Sequence, residues 1–137
     1  MAHDEKTLSL EPGTWGEDAA QWLAQAGTAA EVEDYRRDVQ RGAASLFRVK
    51  QGEQIAGAFL LRVDRYTTGA DGVIVAAAAH IEGLDAMAAF LPHIEAMFRG
   101  VDRIRIHTGK PAVARKLARH GYQAREIVSI KDMRHGQ

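Results

Sequence analysis

The chain has 137 residues, and its 18 basic and 18 acidic side chains give a formal net charge of zero. That charge balance does not indicate a dedicated nucleic-acid binder, and the absence of cysteine excludes disulfides, thiolate zinc sites and a cysteine nucleophile. The length suits a single core, so we expect one domain over residues 1–137, with loose termini at 1–5 and 134–137.

The N-terminal segment, residues 1–13, carries acidic residues early and lacks the apolar run of a signal peptide. The longest apolar stretch, Val73–Ala79, is far too short to span a membrane. We therefore expect a soluble, cytoplasmic protein without a membrane partner.

The first forty residues predict one weak strand and two helices. Residues 6–10 alternate weakly and are followed by the turn residues 11–13, Glu-Pro-Gly. The segment Thr14–Ala26 has apolar residues at helical spacing, with its first residue as N-cap and Glu17 as the reciprocal capping partner. A second helix is predicted from Ala29 or Ala30 to Arg41.

The middle of the chain predicts extended structure. Leu46–Lys50 and Gln54–Val63 are strands joined by a tight turn at residues 51–53, which together form a β-hairpin. The segment Asp64–Gly72 is polar and contains glycine, so it predicts a longer loop. The following strand, Val73–His80, contains four consecutive alanines, and alanine is a poor strand former. That run predicts a close approach to the sheet, either by a ligand or by a packed helix.

The last third predicts alternating helices and strands. Leu84–Arg99 is a helix, with a bend at its internal proline, and Val101–His107 is a strand. Lys110–His120 is a second helix, and Tyr122–Met133 is extended. This order predicts an α/β (α+β) fold: a mixed, mostly antiparallel sheet of six or seven strands with helices on both faces.

The order of elements resembles that of the GNAT acetyl-CoA-dependent N-acetyltransferase superfamily over almost the whole chain. The similarity is sharpest from Val73 to Met133. There, Val101–His107 resembles the family's fifth strand, and Ala114–Tyr122 resembles the helix that ends in the family's Leu-Gly-Phe sequence. The resemblance implies that acetyl-CoA, as a substrate, lies where the fourth and fifth strands separate. Its pyrophosphate would then meet backbone amides at the start of the next helix.

The same resemblance implies a set of residues that hold the acyl donor: Ala77, Ala78, His80, Gly83 and Leu84. The family's loop reads Gln or Arg, two residues, Gly, one residue, then Gly or Ala. In this sequence Gly83 matches that pattern, whereas His80 and Asp85 stand at the other two positions. Leu117 stands where the family has a tyrosine that acts as general acid.

Two residues are candidates for catalysis. His107 ends a strand at the expected substrate edge and could act as a general base, or it could simply be a polar strand end. Glu82 could relay a proton from an amine through water, or it could stabilise the helix start that follows it. The six histidines are scattered without metal-ligand spacing, so we expect no metal.

The resemblance implies an acyltransferase that moves an acetyl or acyl group from acyl-CoA to the amine of a small molecule or peptide. The alternative is a non-catalytic protein of the same fold, serving as a ligand-binding, assembly or phage-related structural component. The incomplete glycine loop favours that alternative. A homodimer or another assembly partner is compatible with both hypotheses.

Overall fold

The computed structural model describes residues 7–81, 85–108, 110–125 and 129–133, so the predicted loose termini lie outside the described residues. The chain forms two compact units that divide after His107. The elements, in chain order, are β1 (Leu8–Gly13), α1 (Glu17–Leu23), α2 (Ala29–Gln40), β2 (Ser45–Gln51), β3 (Gln54–Tyr66), β4 (Gly69–Ala79), α3 (Ala86–Met97), β5 (Arg103–Ile106) and α4 (Pro111–Ala118). None of the helices in the described part is long and apolar enough to cross a membrane.

The strands form one sheet in the order β1-β2-β3-β4-β5. The first four are antiparallel neighbours and β5 is parallel to β4, so the predicted mixed, mostly antiparallel sheet is confirmed. The described part has five strands rather than the expected six or seven. The predicted last strand does not form in residues 122–125 and 129–133, and residues 126–128 lie outside the description. Ile130 and Met133 are 87% and 76% exposed, so this segment lacks the buried apolar face that stabilises a strand in a sheet.

Two predictions about the first forty residues are wrong. Pro12 lies within β1 rather than in a turn, because β1 is an edge strand and a missing outward N–H breaks no ladder hydrogen bond. α1 begins at Glu17 after an N-cap at Gly16, not at Thr14, whose carbonyl accepts a hydrogen bond from Arg48 at 2.9 Å. The predicted second helix is confirmed as α2.

The β2–β3 hairpin is confirmed, with Gln51 paired to Gln54. The predicted loop over residues 64–72 is wrong, because β3 continues to Tyr66 and β4 begins at Gly69. Polar residues of the predicted loop instead bond to neighbours along β3 or across to β4. Arg62 donates to Asp64 at 2.6 Å, and the Tyr66 hydroxyl donates to Asp71 at 2.6 Å.

The predicted helices on both faces of the sheet are confirmed. α1 and α2 cover one face, where Leu23 and Tyr35 pack in a buried cluster with Leu60 of β3. Phe59 precedes Leu60 in the strand and therefore points to the opposite face. There its ring centroid lies 5.9 Å from that of Phe90 in α3, so α3 covers the second face.

The remaining two predicted helices are also present. α3 begins at Ala86, within the predicted range, and continues through Pro92 to Met97. In the second unit, α4 lies within the predicted range and is followed by Gly121, whose φ of +89° suits a residue without a side chain.

A cluster of charged residues joins β3, β4 and β5 at one end of the sheet. Asp71 is only 2% exposed, and its carboxylate accepts hydrogen bonds from Tyr66 and from Arg103 at 3.0 Å. Arg105 links two carboxylates: it donates to Asp64 at 2.7 Å, and its Nε lies 2.8 Å from Asp71 Oδ2. A buried carboxylate needs such partners, since its desolvation is otherwise costly. The Tyr66 hydroxyl, followed by Arg103, holds the pKa of Asp71 below its ordinary value.

Asp71→Asn is expected to lower the stability of the protein at about pH 7, because it removes the carboxylate that holds Tyr66 and Arg103. A lowered folded-state pKa stabilises the protein above the ordinary aspartate pKa, and this contribution is lost as the pH falls through the folded value. The stability difference between wild type and variant should therefore narrow from about pH 7 to about pH 3. Urea unfolding at both pH values measures it. The control is Asp34→Asn, which removes an exposed ion pair with Arg37 in α2 and should change the stability little at either pH. A destabilisation by Asp71→Asn that does not depend on pH would contradict this account.

Gly72→Ala is expected to destabilise the protein by about 1–3 kcal/mol, because the new Cβ would lie 2.6 Å from ring atoms of Phe98. The free energy of unfolding in urea, followed by circular dichroism, measures this cost. In a Phe98→Ala background the same substitution should cost much less, since the colliding ring is absent. An equal cost in both backgrounds would show that the Phe98 ring does not limit the space at Gly72.

Candidate functional site at the end of β4

β4 is longer than the strand beside it. Its parallel pairing with β5 runs from Asp71–Arg103 to Ile74–Ile106. β4 then continues through residues Val75–Ala79, which we call the β4 extension, and β5 contributes no described pairing partner to it. The β4 extension keeps its pairing with β3 on the other side, so one of its two edges is held and the other has no partner strand among the described residues.

A β-bulge marks the point where the β5 pairing ends. Leu61 pairs with Ile74 and Leu60 pairs with Ala76, so Val75 is an extra residue in β4 with no residue opposite it in β3. A bulge bends its strand and increases the local twist. Because it follows directly after the last residue paired with β5, it gives a physical reason for the end of that pairing.

The backbone of the β4 extension presents polar groups to the available edge. The His80 N–H donates to the Ala56 carbonyl at 2.8 Å, which makes these two residues a hydrogen-bonded pair across β3 and β4. In an antiparallel ladder such pairs alternate with pairs whose N–H and C=O groups point away from the partner strand. By this alternation the amides of Ala77 and Ala79 face the β5 side. They could bind a ligand that carries carbonyl and amide groups of its own.

The alanine run satisfies both explanations that the sequence allowed. Ala76 is buried in the cluster beneath α1 and α2, as a packed helix would require. Ala77 is exposed, as a site for a ligand would require. The pairing strand also approaches closely: a Cβ on Gly57 would lie 2.6 Å from the Cα of Ala79. Small side chains in this run therefore suit a close approach to the backbone of the β4 extension.

The candidate residues from the sequence are distributed around this edge. Ala77 and Ala78 lie in the β4 extension, and His80 is exposed directly after it. His107 is exposed and directly follows Ile106, the last β5 residue paired with β4. Glu82, Gly83 and Leu84 lie outside the described residues.

The start of α3 is already capped by a carboxylate. Asp85 is its N-cap, and the Oδ1 atom accepts hydrogen bonds from the Met87 and Ala88 amides at 3.0 and 3.4 Å. An aspartate directly before a helix is a common N-cap, so the sequence contained a signal for this role. The cap satisfies two of the amides that an anionic ligand at this helix start would otherwise take.

A separate cleft of about 220 Å³ lies between β1 and α3, at the opposite edge of the sheet. Its lining is mainly apolar and consists of Leu8, Ser9, Leu10, Phe90, His93 and Met97. It contains none of the candidate residues. Across the described ranges, no group of three His, Asp or Glu side chains is arranged to hold a metal ion.

Comparison with known proteins gives similarity in structure only. No family model matches the chain, and no curated protein matches its sequence. A transcriptional regulator from Bacillus halodurans is similar with a TM-score of 0.71 and 17% identity, over 92% of this chain and 100% of the other. An acetyltransferase from Trypanosoma brucei is similar with a TM-score of 0.67 and 14% identity, over 93% of this chain and 100% of the other.

A third similar structure is a GNAT family acetyltransferase from Elizabethkingia anophelis with acetyl-CoA bound. It gives a TM-score of 0.61 and 15% identity, over 84% of this chain and 74% of the other. At such identities the similarity concerns the fold, and it extends over most of the chain in each case. This chain has the fold of the GNAT acetyltransferases.

Proposed function

We propose that this protein is an acyltransferase that moves an acyl group from an acyl-CoA thioester to the amine of a small molecule or peptide. The observation that carries the proposal is the β4 extension. It combines a bulge, a backbone edge without described β5 pairing, and two amides directed to that edge. The pantetheine arm of CoA contains amide groups, so it can pair with such an edge as a short strand would.

The amides of Ala77 and Ala79 would then serve two purposes. One would bind the pantetheine arm, and the other would donate to the thioester carbonyl oxygen. A fixed backbone donor stabilises the negative charge that develops on that oxygen when an amine attacks the carbonyl carbon. Ala78 lies between these two residues and bonds to β3 instead, so its contribution is to hold the edge in place.

The transfer of the acyl group requires few further side chains to accept or supply protons. The amine nitrogen forms the new C–N bond, the C–S bond breaks, and the thiolate leaves. His107 would accept the proton that the attacking nitrogen loses, and Glu82 is an alternative acceptor through water. A thiol has an ordinary pKa of about 8.5, so its thiolate can leave and take a proton from solvent. The leucine at position 117 therefore does not prevent the reaction.

His80, Gly83 and Leu84 are the residues that we propose for the remaining contacts with the acyl donor. His80 directly follows the β4 extension, and a glycine at position 83 would let a backbone approach a ligand closely. The cap at Asp85 does not fit a pyrophosphate on the Met87 and Ala88 amides, because a carboxylate occupies them. This cap also favours a ligand-binding or assembly protein of the same fold without catalysis.

Ala77→Pro is expected to weaken acetyl-CoA binding by about tenfold or more, because it removes an N–H that faces the ligand edge. The substitution breaks no hydrogen bond to β3, so the fold should persist. Thermal unfolding measures both effects: ligand at 100 times its Kd should stabilise the wild type by about 2.7 kcal/mol. Ala77→Ser keeps the amide and a small side chain, and should bind like the wild type.

Unchanged wild-type unfolding at millimolar acetyl-CoA would contradict the proposed site, as would equal binding by the two Ala77 variants. A thiol-release assay with a panel of amines then separates the enzyme from the non-catalytic alternative. Since the chain has no cysteine, any thiol detected comes from the donor. Binding without release above the rate in buffer, for every amine, would support the alternative.

A further inference from the structure

We propose that Asp85 determines donor specificity, so that the protein recognises its acyl donor through the acylated pantetheine arm and gains little from the diphosphate of CoA. This inference rests on the proposed function, because it concerns the donor that would occupy the β4 extension. It assigns to Asp85 a role in choosing between donors, beyond its role as a helix cap.

The first observation is the geometry of the cap. One carboxylate oxygen of Asp85 accepts hydrogen bonds from both Met87 and Ala88 at the first turn of α3. α3 is the helix that follows β4 in the chain, so its N-terminus is the helix end next in sequence to the β4 extension. A diphosphate that extends from the edge of β4 toward this helix would need those amides, and it would meet a carboxylate instead.

The second observation is the distribution of charge along the same part of the chain. The sequence from Tyr66 to Phe98, which includes β4, the crossover and α3, contains no lysine or arginine. It contains four acidic residues: Asp71, Glu82, Asp85 and Glu95. The arginines of the neighbouring strand β5, Arg103 and Arg105, are both paired with Asp71 in the cluster at the other end of the β4–β5 pairing.

Both observations disfavour binding of the CoA diphosphate at the start of α3. Phosphate binding in proteins relies on backbone N–H groups, on cationic side chains, or on both. In this strand–crossover–helix unit, two amides of the first α3 turn, those of Met87 and Ala88, are capped, and the sequence supplies no lysine or arginine. The neutral part of the donor, by contrast, meets the amides of Ala77 and Ala79. The chemistry that fits is therefore an acylated pantetheine thioester.

The test compares two donors and one isosteric substitution. Acetyl-CoA and acetyl-pantetheine share the thioester and the pantetheine arm, and only acetyl-CoA carries the phosphates. Asp85→Asn keeps the N-cap and its shape but removes the charge. Asp34→Asn removes one charge from α2, on the other face of the sheet, and serves as the control. Isothermal titration calorimetry gives the Kd of each donor for each protein.

We expect the wild type to bind the two donors within about threefold of each other. Asp85→Asn should strengthen the binding of acetyl-CoA by about tenfold, through loss of a like charge near the diphosphate, and leave acetyl-pantetheine within twofold. Asp34→Asn should change neither. If Asp85→Asn unfolds at a lower temperature, Asp85→Ser, a second uncharged capping residue, provides the same comparison.

An unchanged ratio of the two affinities in the uncharged variants would overturn the role of Asp85 and leave the proposed function standing. A wild type that binds acetyl-CoA a hundredfold more tightly than acetyl-pantetheine would also overturn it. If neither donor binds the wild type or the variants, the site at the β4 extension is wrong, and both proposals fail together.

Discussion

The register shift at Val75 is the constraint on which the candidate site depends. β4 must pair with β3 along its whole length, yet it pairs with β5 only from Asp71 to Ile74. One extra residue reconciles the two requirements, because it bends β4 at the point where the β5 pairing ends. The same residue fixes the alternation beyond it. Ala76 turns into the core, and the amides of Ala77 and Ala79 turn to the edge that β5 leaves uncovered.

The two ends of β4 are held by different kinds of interaction. At the start of the strand, the buried carboxylate of Asp71 gathers Tyr66, Arg103 and Arg105, and so ties β5 to the β3–β4 hairpin. On the α3 face, Gly72 has no side chain, and the ring of Phe98 packs in the space this leaves. Beyond Val75 such ties to β5 are absent from the described residues. A first half held by these contacts thus supports an extension with no β5 partner among the described residues, which is the arrangement a binding edge needs.

Local sequence patterns are sufficient to predict the elements that depend only on residues within the same segment. The Gln51–Gln54 hairpin, α2 and α4 each follow from a turn residue, an apolar spacing or a stop signal within the segment itself. The loop predicted over residues 64–72 failed because its polar side chains are satisfied by partners far along the chain, as Asp71 is by Arg103. Contacts between residues so far apart in the chain cannot be recognised from a short segment of sequence. The prediction of Thr14 as a cap is wrong for the same reason, since its carbonyl bonds to Arg48, which lies far along the chain.

The candidate site was predictable only in part. The resemblance to the GNAT superfamily indicated the end of β4, and the alanine run independently indicated a close approach there. The bulge could not be predicted, because the register of β4 depends on which residues of β3 lie opposite it. The cap at Asp85 is different. Its residue type and its place before α3 are visible in the sequence and suit an N-cap, although the comparison with the family's loop indicates only a departure from that pattern.

The site at the β4 extension can be tested most directly by following its alanine amides. In protein labelled with ¹⁵N-alanine, titration with acetyl-pantetheine should shift the amide resonances of Ala77 and Ala79, which face the uncovered edge. The amides of Ala58 and Ala78, which lie in the ladder between β3 and β4, should shift much less. Shifts confined to Ala89 and Ala96 of α3, which adjoin Phe90 and Met97 in the cleft beside β1, or no shifts at saturating ligand, would contradict the account.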